Sequence, residues 1–114
     1  MTILGHEYEQ VEAESVNLFT MIRCERFEKV IREGTEKLFD DAEKDEKGKS
    51  VPLTEDRRKN IWLGMCGAWR EFVKLAFKNG DESLADLNKI PAFKTTEVLQ
   101  SFFTLLRTTQ NSVA

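Results

Sequence analysis

The chain has 114 residues, 40% of them hydrophobic and 32% charged, with a formal net charge of −3, and this composition suits a folded domain and excludes a disordered chain. Only two cysteines occur, no apolar run approaches the ~18 residues of a membrane span, and residues 1–10 lack the basic start and apolar run of a signal peptide. We therefore expect one domain over residues 1–114 of an intracellular, cytoplasmic protein with reduced thiols and no role at a membrane.

The sequence of the N-terminal third predicts one long helix rather than strands, because apolar and polar residues do not alternate over any sustained stretch. The helix is expected to begin near Glu7 and to reach at least Glu33, then either to continue through Gly34 or to restart at Thr35 and end near Glu43. Its apolar residues form two stripes about 140° apart, which suggests two packing partners. A helix of this length spans about 40 Å, so its first turns should overhang a compact domain or pack on a second copy.

A polar connection over residues 46–53 follows the first helix. If it is taken as a calcium loop that begins at Glu43, Lys47 occupies a ligand position and Thr54 stands where a bidentate carboxylate is required. We therefore interpret the connection as a solvated linker. The single histidine, His6, and two separated cysteines are too few for a zinc site, so we predict no metal site and no cofactor.

The second helix is predicted to run from its N-cap Thr54 to Asn79, with Gly80 as a left-handed C-cap. Its apolar residues cover an arc of about 200°, so this helix should lie at the centre of the core. A short helix over residues 82–88, capped by Asp81, is expected to follow. The apolar set of the second helix is Ile61, Trp62, Met65, Cys66, Ala68, Trp69, Phe72, Val73 and Ala76.

A last helix should start after Thr95 or Thr96 and end near Thr108, with residues 110–114 frayed. The predicted fold is therefore an all-α bundle of about four helices, with a long N-terminal helix and a central, apolar second helix.

Two glycines lie three residues apart inside the second helix, although Gly costs about 1 kcal/mol relative to Ala in a helix interior. They fall on its polar side and leave a strip that another backbone could approach closely. The strip could contact another part of this chain or a second molecule, including a second copy, or the glycines could be tolerated on an exposed face. The partner-binding candidates are Asn60, Leu63, Gly64, Gly67, Glu71 and Lys74.

The charges are unevenly distributed along the chain. Residues 1–46 carry 6 basic and 13 acidic side chains, residues 47–80 carry 8 and 3, and residues 81–114 carry 3 and 4. Three cations at the start of the second helix oppose the helix dipole. They could pair with the acidic first helix, bind the phosphates of a nucleic acid, or bind an acidic protein partner. These residues are Arg57, Arg58 and Lys59.

Carboxylates recur at helical spacing in the N-terminal part of the chain. The pairs are Glu9 and Glu12, Glu25 and Glu28, and Glu33 and Glu36. This spacing resembles that of all-α nucleotide pyrophosphohydrolases, and the resemblance implies two such pairs on facing helices that hold Mg²⁺. The body of the second helix offers only Glu71, so the facing pair is missing. Ion pairs along a solvated helix face are the other interpretation.

No catalytic set stands out, whereas the first helix carries two apolar stripes and the second a glycine strip. We therefore predict a small non-catalytic interaction or regulatory protein that binds a partner protein and self-associates, most simply as a homodimer. The alternatives are a nucleic-acid-binding regulator that uses residues 57–59 and a Mg²⁺-dependent nucleotide pyrophosphohydrolase.

Overall fold

A computed structural model describes the backbone of residues 1–113 and the side chains of residues 1–107. This part of the chain is mostly helical and contains four α-helices, as predicted, but it also contains two small antiparallel hairpins, so the fold is not purely all-α. The helices are α1 (Leu18–Asp40), α2 (Glu55–Ala76), α3 (Glu82–Ala85) and α4 (Ala92–Val113). The strands are β1 (Thr2–Ile3) and β2 (His6–Glu7) in one hairpin, and β3 (Ala42–Lys44) and β4 (Ser50–Pro52) in the other.

The prediction that the first helix begins near Glu7 is wrong. The helix α1 begins at Leu18, and the N-cap Asn17 accepts a hydrogen bond from the Thr20 amide at 2.8 Å. The strands β1 and β2 are joined by Leu4 and Gly5, whose φ angles of 53° and 78° are typical of a two-residue hairpin turn. A helix of 23 residues is about 35 Å long, so the expected overhang of extra N-terminal turns does not occur.

After this hairpin the chain runs extended against the end of α2. The Val11 amide donates to the Ala76 carbonyl at 2.8 Å, and the Lys78 amide donates to the Glu9 carbonyl at 2.9 Å. This path buries Tyr8, which is 1% exposed. The physical reason for the failed prediction is non-local, since pairing with the end of α2 satisfies backbone groups and buries apolar surface that a helix here would leave in water.

The interpretation of residues 46–53 as a solvated linker is also wrong in part. The strands β3 and β4 pair in register, with Glu43 opposite Val51. The turn between them is held by Asp45, whose carboxylate accepts hydrogen bonds from the amides of Lys47 and Lys49, both at 2.9 Å. Gly48 has a φ of 77°, which a residue with a side chain adopts only at a cost.

The second helix, α2, confirms the predicted N-cap and core face. The Thr54 hydroxyl accepts a hydrogen bond from the Arg57 amide at 3.1 Å. Seven of the nine predicted apolar residues are buried, and Trp62 and Cys66 are half-buried. The helix ends at Ala76 rather than Asn79, because the next residues pair with the N-terminal segment.

Gly80 is not the left-handed C-cap that we predicted, since its φ is not positive. It instead allows the chain to turn back close to α2. A methyl group on Gly80 would lie 2.8 Å from the Val73 Cγ1 atom. The predicted cap Asp81 is confirmed, because its carboxylate accepts a hydrogen bond from the Leu84 amide at 3.1 Å.

The last helix, α4, begins at Ala92, earlier than predicted, and Pro91 supplies the carbonyl that accepts the Lys94 and Thr95 amides at 3.0 and 3.1 Å. The helix continues to Val113, past the predicted end. We predicted a frayed tail over residues 110–114, whereas the backbone is helical as far as Val113. Residue 114 lies outside the described residues.

Aromatic side chains join α4 to α2. The rings of Phe72 and Phe102 meet edge to face with centroids 5.2 Å apart, and the fully buried Trp69 donates its indole N–H to the Leu84 carbonyl at 2.8 Å. The molecule measures 45 × 35 × 20 Å with a radius of gyration of 15.7 Å, larger than the ~13 Å of a compact domain of this size. The helices thus form a flattened body whose core lies around α2.

Candidate functional site

An open apolar groove of about 730 Å³ lies between α1 and α4. Its floor comes from α2 and from the segment before α4, and its walls from α1 and α4. A second cavity of about 520 Å³ shares Glu28, Arg32, Leu99 and Gln100 with the first, so the groove continues along the two helices. The apolar lining residues include Ile31, Phe39, Trp62, Met65, Ile90 and Leu99.

The two walls of the groove run antiparallel. One end of the groove is lined by Phe39 of α1 and Ala92 of α4, and the other end by Glu25 of α1 and Arg107 of α4. Folding places the walls this way because α2 lies beneath both helices and the segment after α2 returns the chain to the Phe39 end. The groove is therefore a channel along the helix axes rather than a closed pocket.

The polar rims of the groove differ from wall to wall. On α1, Arg32 pairs with Glu28 at 3.6 Å, and Glu36 lies nearer the Phe39 end. The α4 rim carries uncharged Thr95, Thr96 and Gln100, with Arg107 at the opposite end. The Phe39 end of the groove thus carries Glu36, whereas the opposite end carries Glu25 together with Lys29 and Arg107.

Large aromatic side chains are exposed near the Phe39 end. Phe39 is 90% exposed while lining the groove, and Phe93, in the first turn of α4, is 70% exposed. The sequence reasoning missed both residues. The sequence did contain a sign that Phe39 is exposed. It is a large apolar residue that belongs to neither of the two apolar stripes of the first helix, so neither of the two expected packing partners would cover it. Exposed aromatics of this size commonly lie at binding surfaces.

The predicted glycine strip lies on the outer face of α2, away from the groove. A methyl group added at Gly64 or Gly67 would meet no atom within 4 Å, so the first of the three alternatives, packing by another part of this chain, is wrong for the described residues. Leu63 is 56% exposed, Asn60 is exposed, and Glu71 pairs with Lys74 at 3.5 Å. Contact of the strip with a second molecule stays a prediction.

Two of the three cations at the start of α2 pair within the chain, as one of our interpretations required. The guanidinium of Arg57 donates to both carboxylate oxygens of Glu43, the shortest contact being 2.8 Å, and Arg58 contacts both oxygens of Asp41 at 2.6 and 3.0 Å. These hydrogen bonds lower the pKa values of Glu43 and Asp41. Among the described side chains, Lys59 is exposed and has no ion-pair partner.

The remaining candidates for chemistry are dispersed. The described part of the chain contains no group of three or more histidine, cysteine or acidic side chains that could hold a metal ion. Glu25 is exposed and Glu28 pairs with Arg32. Cys24 and Cys66 are free, and burial raises the pKa of the Cys24 thiol to about 11 and that of Cys66 in the same direction.

Comparisons of this chain with protein-family models, with curated proteins and with solved structures give no match. In the described part of the chain, every helix is too short or too polar to cross a lipid bilayer.

Proposed function

We propose that this protein is a non-catalytic interaction protein that binds an amphipathic helix of a partner protein in the groove between α1 and α4, and that it also self-associates. The observation that carries the proposal is the groove itself, an apolar channel that the chain leaves open between two of its own helices. A regulatory role would follow from occupancy of this channel by the partner.

The dimensions of the groove favour a helix as its occupant. Along α1 it extends from Glu25 to Phe39, fourteen residues apart, which corresponds to about 21 Å or four helical turns. Its floor is apolar and its rims are polar, so it suits a helix with one apolar face and polar flanks. A third helix lying between α1 and α4 would restore the layer of helices that covers α2.

The charges at the two ends of the groove favour one direction for that helix. The positive N-terminal end of the helix dipole is best placed near Glu36, and the negative C-terminal end near Lys29 and Arg107, which together outnumber Glu25 at that end. The partner helix would then run parallel to α4. A binding helix with Asp or Glu in its last turn would gain a further contact with Arg107.

Site-specific photo-crosslinking tests this proposal. Thr96 lines the groove and is exposed, and Thr104 lies two turns further along the same helix, exposed and outside the groove. Each position in turn is replaced by benzoylphenylalanine, and the purified protein is irradiated in extract from its native cells. We expect a protein adduct from position 96 but not from position 104. The crosslinked segment of the partner should have the sequence pattern of an amphipathic helix.

A matched pair of variants provides the control. Thr96→Arg should abolish the adduct of a crosslinker placed at Gln100, and Thr104→Arg should leave it, because only Thr96 projects into the groove. Absence of adducts at both positions, or equal adducts at both, would overturn the proposal.

Neither alternative function has an observation in its favour. The hypothesis of nucleic-acid binding requires unpaired cations, whereas Arg57 and Arg58 form ion pairs with carboxylates. Salt-dependent binding of DNA or RNA that is lost when residues 57–59 are neutralised would nevertheless revive it. Magnesium-dependent hydrolysis of a nucleotide that is abolished by substitution of Glu25 or Glu28 would support the hydrolase hypothesis.

A further inference from the structure

The charges on the α1 wall of the groove are complementary to themselves when the helix is reversed. Along α1 the charged residues of this wall are in turn two acidic, two basic and one acidic, and the wall then ends at Phe39. Before the first of these charges, the N-terminal turns of α1 carry exposed apolar side chains, with Leu18 and Phe19 each 68% exposed and Ile22 36% exposed. The five charged wall residues are Glu25, Glu28, Lys29, Arg32 and Glu36.

We propose that α1 of a second copy of this chain lies in the groove, antiparallel to the first α1, so that a symmetric dimer closes both grooves. With the twofold axis between Glu28 and Lys29, these two residues of each copy lie opposite each other. The same register brings Glu25 opposite Arg32, and the symmetry makes each contact twice. A parallel pair would place every charge opposite itself, so the charges select the antiparallel arrangement.

The fifth charge of the wall, Glu36, lies beside the N-terminal turns of the second helix in this register. Those turns carry the positive end of the helix dipole, and the first turn of α1 contains no acidic residue of its own. Glu36 of each copy therefore supplies an anion to the N-terminus of the other α1. The second α1 also runs parallel to α4, which is the direction that the charges at the two ends of the groove favour.

The remaining charge along the groove, Arg107 of α4, lies at the same end as Glu25. There the second helix presents Arg32 to Glu25 of the first α1. The next residue of the second helix, Glu33, lies about 100° further round, on the side that faces α4. Arg107 therefore also meets a carboxylate in this arrangement.

The register also covers the exposed apolar residues at the Phe39 end. Phe39 is 90% exposed and lies opposite Leu18 of the second copy, with Phe19 and Ile22 of that copy within one helical turn. Phe93, which is 70% exposed, lies in the first turn of α4 at this end. Of the eight large apolar side chains exposed in the described part of the chain, these are five. Their removal from water supplies a driving force for association that the charges alone would not provide.

Occupation of the groove by a second copy regulates the groove. The second copy and a partner helix compete for the same channel, so the dimer is the closed form and the partner binds the monomer. This inference rests on the proposed function, because it requires that the groove accept a helix, and it names the helix that fills the groove when no partner is present.

Analytical ultracentrifugation of the purified full chain tests the register with the charge-reversal variants Glu25→Arg and Arg32→Glu. Each single variant places like charges opposite each other at both contacts, so we expect at least tenfold weaker association with unchanged helical circular dichroism. An equimolar mixture of the two variants pairs opposite charges in the mixed dimer and should recover the association of the original chain. A change that merely perturbed folding would not recover on mixing. Glu71→Arg, on the outer face of α2, makes the same change in charge away from the groove and should leave the dimer unchanged.

Photo-crosslinking identifies the occupant of the groove. With benzoylphenylalanine in place of Thr96, irradiation of the purified protein without extract should give an adduct of twice the mass of the chain, joined to residues 18–22. In extract, an adduct with another protein has a different mass. A self-adduct alone would support this inference and remove the partner, whereas an adduct with another protein alone would support the proposed function and remove the second copy.

Other results would overturn the inference as well. They are a purified protein that is monomeric, single variants that associate like the original chain, no recovery in the mixture, loss of the dimer with Glu71→Arg, and a self-adduct that maps outside α1.

Discussion

Gly34 of α1 lies against Met65 of α2, so close that a methyl group on Gly34 would come within 2.6 Å of both the Cγ and the Sδ atoms of Met65. The same methyl group would lie 3.3 Å from the Ile61 Cγ2 atom. Gly34 is buried within a continuous helix. Its missing side chain therefore allows α1 to cross α2 at close range, and this crossing sets the wall of the groove.

Substitution of Gly34 by Ala should destabilise the protein, although Ala is the better helix former by about 1 kcal/mol. Overpacking of a tight contact costs about 1–3 kcal/mol, and Met65 is only 5% exposed and must shift. We expect a net loss of about 1 kcal/mol in the free energy of unfolding, measured by urea denaturation.

Gly64→Ala is the matched control for this prediction. A methyl group there meets no atom within 4 Å, so only the helix propensity changes and stability should rise by up to about 1 kcal/mol. If Gly34→Ala were as stable as Gly64→Ala, the close crossing of α1 and α2 would not limit this position.

The contrast between Gly34 and Gly64 shows which features of the fold could be predicted from the sequence and which could not. The spacing of apolar residues predicted the buried face of α2, and local side chains predicted the caps Thr54 and Asp81, because both depend on near neighbours. Which glycine meets another helix depends on how the helices cross. Local patterns drew attention to Gly64, whereas the glycine at which two long helices approach closely is Gly34.

The groove and the N-terminal segment could not be predicted for the same reason. The groove depends on where α1 and α4 each lie on α2, and contacts remote in sequence, such as Gly34 with Met65 and Phe72 with Phe102, set these positions. The N-terminal segment is held by pairing with Ala76 and Lys78, which are remote in sequence. Charge segregation did suggest, as one of three interpretations, that the cations of α2 pair with the acidic first helix, and Arg57 and Arg58 pair with Glu43 and Asp41, just beyond the end of α1.

These ion pairs predict how stability depends on pH. Hydrogen bonds from Arg58 and Arg57 lower the pKa values of Asp41 and Glu43 from ordinary values of 3.8 and 4.5. A carboxylate with a lowered folded-state pKa stabilises the fold above its unfolded pKa, and this contribution is lost as pH falls through the lowered value. We expect the urea midpoint to decrease as pH is lowered below 4.5.

The neutral variant Asp41→Asn/Glu43→Gln tests the assignment of that pH dependence. It should be less stable than the original chain at neutral pH and should show a smaller decrease in the urea midpoint on acidification. An unchanged pH profile in this variant would assign the acid sensitivity to other carboxylates, such as Glu7, whose pKa is also lowered.

The two cysteines should differ in their reaction with a thiol reagent. Cys24 is 0% exposed and burial raises its pKa to about 11, whereas Cys66 is half-buried. Because the thiolate is the nucleophile, we expect slow labelling of Cys66 in the native protein and labelling of Cys24 only after unfolding. Ellman's reagent in buffer and in denaturant measures both thiols.

Cys66→Ser should remove the native-state reaction and leave the reaction in denaturant. Rapid labelling of both thiols in the folded protein would show that α1 separates from α2 readily, since Cys24 is otherwise covered.

Tyr8 anchors the N-terminal segment to the body of the protein. Its ring lies edge to face with Phe77 at 6.3 Å, and its hydroxyl donates a hydrogen bond to the Asp81 carboxylate at 2.9 Å. Because the side chain is 1% exposed, Tyr8→Ala should leave a large cavity and cost about 3–5 kcal/mol of unfolding free energy. Tyr8→Phe keeps the ring and should cost less, through loss of the hydrogen bond alone.

Hydrogen exchange distinguishes local detachment of this segment from global loss of stability. If Tyr8 is the anchor, Tyr8→Ala should speed exchange of the Val11 and Lys78 amides, which bond across the two segments, more than exchange of amides in the middle of α2. Equal acceleration throughout the chain, or a Tyr8→Ala variant as stable as Tyr8→Phe, would contradict this role, because the segment would then be held by its backbone pairing and not by the buried ring.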